Sequence, residues 1–359
     1  MIDLPKFKIG NLEINLIQGG MGVGISGKNL SSAVANCGGA GIIASVALGS
    51  LKNYPGKYIL ANQNALRDEI RAAKKMSKRV IGVNIMRALT DYKELVKVSS
   101  EENVDLIISG AGLALDLPGL VQNKSINLVP IVSTAKIAKG ITNIWNTRYN
   151  KIPDAFIVEG PKAGGHLGFN HEQLVNNTAP RLENIAKEVI EFANTIDKPV
   201  IVAGGIYTGK DIAHYLELGA AGVQMATRFV TTFECDADDE FKRTYLNANK
   251  EDVQIIKSPV GMPGRAIKNN FLKRVMENEE KINFKCTFNC LKPCKPKESL
   301  YCIADVLINA QKGHFENGFA FAGSNAYKAT PETCLDENGN FITVETLMQR
   351  LSDEYHSPK

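Results

Sequence analysis

The sequence predicts a (β/α)8 barrel of the TIM type, an α/β fold, with an additional segment after the eighth strand. Eight short apolar runs recur along the chain, at residues 14–18, 40–45, 80–84, 104–109, 127–132, 154–158, 199–203 and 221–225. They begin roughly 30 residues apart, which is the length of one strand, one helix and their loops. The runs are continuously apolar, which indicates strands buried on both faces of a parallel sheet.

The segments between the runs are typical of covering helices. Residues 64–76 place Leu66, Ile70 and Ala73 on one face and charged residues on the other, and residues 181–195 follow the same period. Thr208 is a suitable N-cap for a further helix that Gly219 would end. An open doubly wound sheet stays as the alternative, because strand order cannot be read from sequence and both folds bind ligands at the carboxyl ends of strands.

Composition limits the domains and partners. The chain has 359 residues, with 42 basic and 38 acidic side chains and a net charge of +4, a balance that argues against a nucleic-acid or membrane partner. We expect a cytoplasmic protein, since no apolar run approaches the length of a membrane span and the start of the sequence lacks a signal-peptide pattern. We divide the chain into a barrel with its closing segment, residues 1–234 and 320–359, and a mostly helical insertion, residues 235–319.

A glycine-rich turn follows the sixth run and carries one histidine. The run leads through Glu159 to Gly164, Gly165 and His166. Glycines let backbone approach a ligand closely, and an imidazole with a pKa near 6.5 can exchange a proton near neutral pH. The turn therefore indicates an active site with His166 as the catalytic residue, although by itself it is also compatible with an ordinary loop.

Two further motifs follow the seventh and eighth runs, where barrels commonly bind phosphate. After the seventh run come Ala203, Gly204 and Gly205, whose amides can turn toward an anion. After the eighth run, amides, a hydroxyl and a guanidinium are offered by Gln224, Met225, Ala226, Thr227 and Arg228. Together they predict a site for a phosphate-bearing cofactor, with a structural ion pair as the alternative role of Arg228.

The early glycines, Gly19, Gly20, Gly22 and Gly24, do not form a dinucleotide fingerprint. Their spacing is not G-x-G-x-x-G, and no acidic residue ends the run at 40–45. A glycine turn after the first strand would instead let backbone lie flat against a planar ring, such as an isoalloxazine.

Taken in order, these motifs resemble the nitronate monooxygenase family, which includes the related FMN-dependent enoyl-acyl-carrier-protein reductase II. The resemblance covers most of residues 12–270 and rests on residues 18–22, 82–84, 163–168, 203–206 and 224–229. Residues 258–261, 264–265 and 321–325 look like later family segments. It implies a TIM barrel that binds FMN.

The resemblance also implies roles for individual residues. His166 would act on the substrate beside the flavin, Gly20, Met21 and Gly22 would line the ring, and Asn84 would bond near it. Glu159 departs from the glutamine often found in nitronate-oxidising members, and Ala226 replaces a common glycine whose backbone amide is kept. The implied cofactor-binding set is Gly20, Met21, Gly22, Asn84, Glu159, Gly164, Gly165, Ala203, Gly204, Gly205, Gln224, Met225, Ala226, Thr227, Gly323 and Ser324.

The activity implied by the resemblance is oxidation of alkyl nitronates by O2 to a carbonyl compound and nitrite. A small-molecule substrate and O2 would be the partners, and a homodimer stays open. One alternative is an FMN- and NAD(P)H-dependent enoyl-acyl-carrier-protein reductase. The other is a flavin-binding protein without turnover.

The insertion contains four cysteines within a short stretch: Cys286, Cys290, Cys294 and Cys302. Four thiolates can complete the shell of zinc or of an iron–sulfur cluster. The spacing is not C-x2-C, however, and Cys302 begins a segment, 301–313, that is typical of a helix. We therefore expect thiols without metal, together with polar helices at residues 236–249 and 271–281.

Overall fold

The computed structural model describes residues 2–277 and 281–358. Within this part of the chain the strands are β1 (Phe7–Ile9), β2 (Leu12–Ile14), β3 (Ile17–Gln18), β4 (Gly41–Ala44), β5 (Ile81–Met86), β6 (Leu106–Gly110), β7 (Asn127–Val132), β8 (Phe156–Glu159), β9 (Gly165–His166), β10 (Val200–Ala203), β11 (Gly222–Met225), β12 (Val253–Lys257) and β13 (Pro263–Ile267).

The helices of the described chain are α1 (Lys28–Asn36), α2 (Leu48–Leu51), α3 (Tyr58–Met76), α4 (Tyr92–Glu101), α5 (Leu117–Leu120), α6 (Ala135–Tyr149), α7 (His171–Val175), α8 (Leu182–Asn194), α9 (Gly209–Glu217), α10 (Thr227–Val230), α11 (Asp239–Leu246), α12 (Asn270–Glu277), α13 (Ile303–Gln311), α14 (Pro331–Cys334) and α15 (Val344–His356). Short 3-10 turns lie at Lys250–Asp252, Phe315–Asn317 and Ala326–Lys328. None of these helices is long and apolar enough to cross a bilayer.

Eight parallel strands form the barrel, in the spatial order β3-β11-β10-β8-β7-β6-β5-β4. A parallel bridge between Ile17 and Ala40 closes it, since the Ala40 amide donates to the Leu16 carbonyl at 2.8 Å and the Gln18 amide to the Ala40 carbonyl at 3.0 Å. Each predicted apolar run overlaps one of these strands, and β5, β6 and β8 extend one or two residues beyond the predicted ends. The predicted barrel is confirmed, and the doubly wound alternative is excluded.

The N-terminal hairpin closes one end of the barrel. Strands β1 and β2 pair antiparallel, and Phe7 and Ile9 belong to the same buried cluster as Ile42, Ile108 and other inward side chains of the strands. A Cβ on Gly222, at the start of β11, would lie 2.1 Å from the Phe7 ring. The hairpin thus fills the barrel at the amino ends of the strands. The carboxyl ends of the strands remain open to form a binding site.

The helices follow the predicted amphipathic faces with adjusted ends. Helix α3 begins at Tyr58, earlier than the predicted residue 64, and packs Leu66, Ile70 and Ala73 inward. Helix α9 begins at a capping box, in which Thr208 Oγ1 accepts from the Asp211 amide and the Asp211 carboxylate accepts from the Thr208 amide. Both hydrogen bonds satisfy donors that the first turn leaves free.

Residues 235–319 are less helical than the sequence indicated. In the described residues this segment contains the helices α11, α12 and α13, and an antiparallel hairpin of β12 and β13 lies between α11 and α12, with β13 also pairing with β9. The sequence does not indicate the hairpin, because Val253 to Lys257 is a short run that does not alternate strictly and lies between two polar segments. Helix α11 is shorter than predicted, since Asp238 caps it by accepting from the Glu240 amide at 2.9 Å. Of the helix predicted at residues 271–281, residues 278–280 lie outside the described residues.

Candidate active site

A cavity of about 270 Å³ opens at the carboxyl ends of the barrel strands. That volume is near the lower end of small-molecule sites, about 300–1,000 Å³. The cavity is lined by His166 and by all of the predicted cofactor-binding residues except Ser324. Residues that follow β3, β5, β8, β10 and β11 are thus brought to one place although they are far apart in the chain.

His166 is held on three sides. It lies on β9, opposite Gly264 of β13, and the edge-to-face contact with the Phe321 ring has a centroid distance of 5.0 Å. Its Nε2 forms a hydrogen bond with Ser258 Oγ at 2.7 Å. Burial disfavours the imidazolium and lowers the pKa of His166 to about 4. The ring is therefore neutral at pH 7.

Arg265 fixes the turn that leads to His166. Its guanidinium donates from one nitrogen to the carbonyls of Pro161 at 2.7 Å and Ala163 at 2.6 Å, and burial lowers the pKa of Arg265 to about 10. These carbonyls lie in the loop between β8 and β9. The arginine thus stabilises the loop backbone and is not available to bind a ligand through that nitrogen.

A late loop, residues 321–325, packs directly against the same turn. The Ser324 amide donates to the Lys162 carbonyl at 3.0 Å. A Cβ on Gly164 would lie 2.6 Å from the carbonyl carbon of Ala322 and from the nitrogen of Gly323. Glycine is required at 164 by this close approach, which brings the end of the chain back to the cavity.

The glycine turn after β10 and the residues Ala226 and Thr227 after β11, which the sequence predicts to bind an anion, both line the cavity. Gly204 and Gly205 have φ values of +100° and +87°, a region that favours glycine. Asn325 Nδ2 donates to the Gly205 carbonyl at 2.6 Å, which ties the late loop to this turn. Backbone amides, the Thr227 hydroxyl and the late loop are therefore assembled into one cradle.

Two buried polar atoms near the cradle lack a hydrogen-bond partner within the described chain, Gln224 Oε1 and Ser324 Oγ. Unpaired buried polar atoms are unfavourable and usually have an explanation, such as a ligand. Gln224 lines the cavity, whereas Ser324 is not among the lining residues. The Gln224 oxygen therefore suits a polar cofactor better than an apolar one.

Arg228 does not face the cavity, which rules out its predicted role in the cradle. Its side chain is 3% exposed and its Nη1 donates to the Tyr207 carbonyl and to Glu354 Oε1, each at 3.1 Å. The guanidinium also lies over the Tyr207 ring, 5.0 Å from its centroid. The alternative, a structural ion pair, is correct, and it fastens α15 to the barrel.

The loop after β3 lies against the β5 end of the cavity. A Cβ on Gly20 would be 2.4 Å from the Asn84 Cβ, and a Cβ on Gly22 would be 2.2 Å from a Val46 methyl. The Met21 amide donates to Ser26 Oγ at 2.8 Å. The glycines therefore permit a close packing that leaves backbone facing the cavity.

Glu159 ends β8 and lines the cavity. Burial disfavours its carboxylate and raises the pKa of Glu159 to about 7. Near neutral pH, a substantial fraction of this side chain is an uncharged carboxyl that can donate a hydrogen bond.

A covering segment, residues 286–307 with the four clustered cysteines, contributes side chains to the lining of the cavity, a position that the sequence left open. It is fastened to the loop after β5: the Thr90 amide donates to the Cys290 carbonyl at 3.1 Å and the Lys292 amide to the Ala88 carbonyl at 2.9 Å. The side chains that it adds to the lining are mostly apolar: Cys290, Leu291, Ile303, Ala304 and Leu307. The apolar run in 303–308 was the signal that could have identified these residues.

The four clustered thiols are all unpaired. Burial raises the pKa of Cys290 to about 12 and that of Cys302 to about 11, so both are protonated. Across residues 2–277 and 281–358, no group of three or more histidine, cysteine or acidic side chains is arranged to hold a metal ion.

The sequence profile described as nitronate monooxygenase matches residues 5–337. The chain is 28% identical over 252 residues to a (3aS,4S,5R,7aS)-5-hydroxy-7a-methyl-1-oxo-octahydro-1H-indene-4-carboxyl-CoA dehydrogenase of Rhodococcus jostii, covering 70% of this chain and 62% of that one. It thus spans less than two-thirds of that relative's length. It is 26% identical over 301 residues to a probable nitronate monooxygenase of Staphylococcus aureus, covering 76% and 80% of the two chains.

Two solved structures share the fold. FabK from Thermotoga maritima has a TM-score of 0.73 and 24% identity, with 97% of this chain and 94% of that chain covered. Nitroalkane oxidase from Streptomyces ansochromogenes has a TM-score of 0.71 and 19% identity, with 95% of each chain covered. The profile match extends over most of the chain and includes every residue that lines the cavity. The chain belongs to the nitronate monooxygenase family.

Proposed function

We propose that this protein is an FMN-dependent oxidoreductase that oxidises alkyl nitronates with O2 to a carbonyl compound and nitrite. The observation that carries the proposal is the position of His166. Its neutral imidazole lines the same cavity as a glycine-rich cradle at the carboxyl ends of the strands. Barrel enzymes build their active sites at this end, with phosphate bound after the last two strands.

The residues of the cavity fit FMN. Gly204, Gly205, Ala226 and Thr227 would hold the phosphate through amides and a hydroxyl, and the loop from Gly20 to Gly22 would line the flavin ring. The unpaired Gln224 Oε1 offers a hydrogen bond to a polar cofactor, and Ser324 adjoins Gly323 of the cavity lining. When bound, FMN supplies the capacity to accept electrons from the substrate and to react with O2.

The low pKa of His166 favours a substrate that arrives as an anion. A base with a pKa near 4 is weak, and general bases work best when their pKa is near the operating pH. A nitronate has already lost the proton that a neutral nitroalkane must give up. Its negative charge would stabilise a proton on His166 and raise the pKa of the ring when substrate is bound.

Glu159 is compatible with an anionic substrate for the same reason. Its pKa of about 7 keeps about half of this carboxyl uncharged at neutral pH. Repulsion of a nitronate by this side chain is thereby reduced, and the uncharged carboxyl can donate a hydrogen bond into the cavity.

A second candidate is reduction of an enoyl thioester with NAD(P)H. The observation that favours it is the apolar covering segment, because Leu291, Ile303 and Leu307 add to the cavity the kind of surface that an acyl chain would contact. We propose that residues 235–319 act as an insertion that shapes substrate entry in either reaction. A flavin-binding protein without turnover is the third candidate, and the burial of His166 beside the cradle is an argument against it.

The test is to purify the protein, release any flavin by denaturation and identify it by chromatography. The protein loaded with FMN is then given propyl nitronate in air, and O2 consumption and nitrite are measured. Nitrite formed in proportion to O2 consumed supports the proposal. NADH oxidation that depends on a crotonyl thioester, without nitrite formation, would favour the second candidate. Failure to bind FMN at all would count against all three.

A further inference from the structure

Ser258 is held rigidly one residue beyond β12. Its amide donates to the Met262 carbonyl at 3.3 Å, and its carbonyl accepts from the Gly261 amide at 3.1 Å. Gly261 has a φ of +80°, which a glycine adopts without strain. Ser258 is 7% exposed, so the turn fixes its hydroxyl in a protected position.

The Ser258 hydroxyl forms a hydrogen bond with one of the two nitrogens of the His166 ring. Ser258 Oγ lies 2.7 Å from His166 Nε2, across 92 residues of sequence. Nδ1 has no hydrogen-bond partner within the described chain, while the ring itself lines the cavity. Only Nδ1 therefore remains for a substrate.

The surroundings of Ser258 indicate which of the two groups, Nε2 or the Ser258 hydroxyl, donates this hydrogen bond. Ser258 also lines a second cavity, of about 390 Å³, between the β12–β13 hairpin and the covering segment. When Nε2–H is the donor, the Ser258 O–H can point toward that cavity, whereas a proton on Nδ1 would have no acceptor in the described residues. A hydroxyl oxygen has two lone pairs, and a neutral imidazole has one N–H and one lone pair. The arrangement that satisfies both groups has Nε2–H donating to Ser258 Oγ.

We infer that Ser258 is a positioning residue that holds the proton of neutral His166 on Nε2 and thereby keeps Nδ1 free to take up the proton that a bound nitronate would stabilise. Ser258 acts through His166 and does not contact the reacting atoms. The kinetic part of this inference rests on the proposed function, because it assumes that His166 acts on the substrate. The tautomer does not depend on that assumption.

The first test measures the tautomer directly, in the FMN-loaded wild-type protein with ¹⁵N-labelled histidine. The chemical shifts of the two His166 nitrogens, assigned with His166→Asn, distinguish N–H from a bare lone pair. We expect Nε2 to carry the proton and Nδ1 to be bare. A proton on Nδ1 would overturn the inference, whether or not the protein turns over nitronate.

The second test compares three variants with flavin content and melting temperature matched. Ser258→Ala should lower kcat by about tenfold or more, up to the roughly 10²–10⁴ that a general acid–base group contributes, and should leave KM within about threefold. Ser258→Thr keeps the hydroxyl and should restore most of kcat. Ser125→Ala, an exposed serine before β7 at the opposite end of the barrel, is the control.

A kcat within twofold of wild type in Ser258→Ala would overturn the positioning role. If Ser258→Ala does not fold, Ser258→Thr and the wild-type tautomer still decide the matter, since a threonine that keeps Nε2–H and kcat supports the inference. If no nitronate is turned over by any form while Nε2–H is observed, the proposed function fails and the assignment of the tautomer stands.

Discussion

In the wild-type protein, ionisation of Glu159 should lower the free energy of unfolding as the pH rises. Replacement of Glu159 by glutamine should abolish this decrease. In the folded protein, burial raises the pKa of this carboxyl from about 4.5 to about 7. Because the folded pKa is the higher one, the protonated carboxyl contributes stability that is complete below pH 4.5 and is lost as the pH rises through 7. The gap of about 2.5 pH units, at about 1.36 kcal/mol each, corresponds to about 3 kcal/mol.

The assay is urea unfolding of the flavin-free protein at several pH values between 4.5 and 9. Glutamine has nearly the same shape and does not ionise, so the free energy of unfolding of Glu159→Gln minus that of wild type should grow by about 3 kcal/mol over this range. Glu337→Gln, at an exposed turn, is the matched control variant. A flat difference for Glu159→Gln would refute the argument that burial in the cavity keeps this carboxyl protonated.

Three further predictions concern the site and its supports. His166→Asn should lower kcat/KM for nitronate by roughly 10²–10⁴ and keep FMN bound, and in Glu159→Gln, which lacks the carboxyl that titrates near 7, kcat/KM should change only as the pH drops toward 4, where His166 is protonated; a change centred near 6.5 would contradict its burial. Gly164→Ala should lower the free energy of unfolding by about 1–3 kcal/mol because its Cβ meets backbone at 2.6 Å, whereas Gly140→Ala, in open space on α6, should raise it by about 0.5–1 kcal/mol; equal effects in urea unfolding would contradict the close approach. Glu354→Gln leaves the buried Arg228 guanidinium without its charged partner and should lower the free energy of unfolding by about 1–3 kcal/mol. FMN affinity should be unchanged in a fluorescence titration. Weakened FMN binding would instead indicate that Arg228 takes part in binding the cofactor.

The barrel was predictable because parallel strands buried on both faces are continuous apolar runs, and each run in this chain is short and bounded by turn residues. The glycine turns were predictable for a related reason. Gly204 and Gly205 follow a strand end, and the fold fixes where strand ends meet. Local patterns thus located the cavity and part of its lining.

The supports of the site were not predictable, because each depends on two segments that only tertiary packing brings together. Ser258 reaches His166 through the pairing of β13 with β9. Arg228 follows a predicted binding motif in sequence, yet the docking of α15 turns it toward Glu354. Leu291 reaches the cavity through an antiparallel bridge with Leu89, a contact that no periodicity indicates.

The central claim is that this cavity brings an alkyl nitronate and FMN together for electron transfer. The most direct measurement is to mix the FMN-loaded protein with propyl nitronate without oxygen and follow the visible absorbance of the flavin in a stopped-flow instrument. We predict that nitronate lowers the flavin absorbance at a rate that saturates with nitronate concentration. The rate should be greatly slowed in His166→Asn. Fast bleaching by NADH, with none by nitronate, would contradict the central claim.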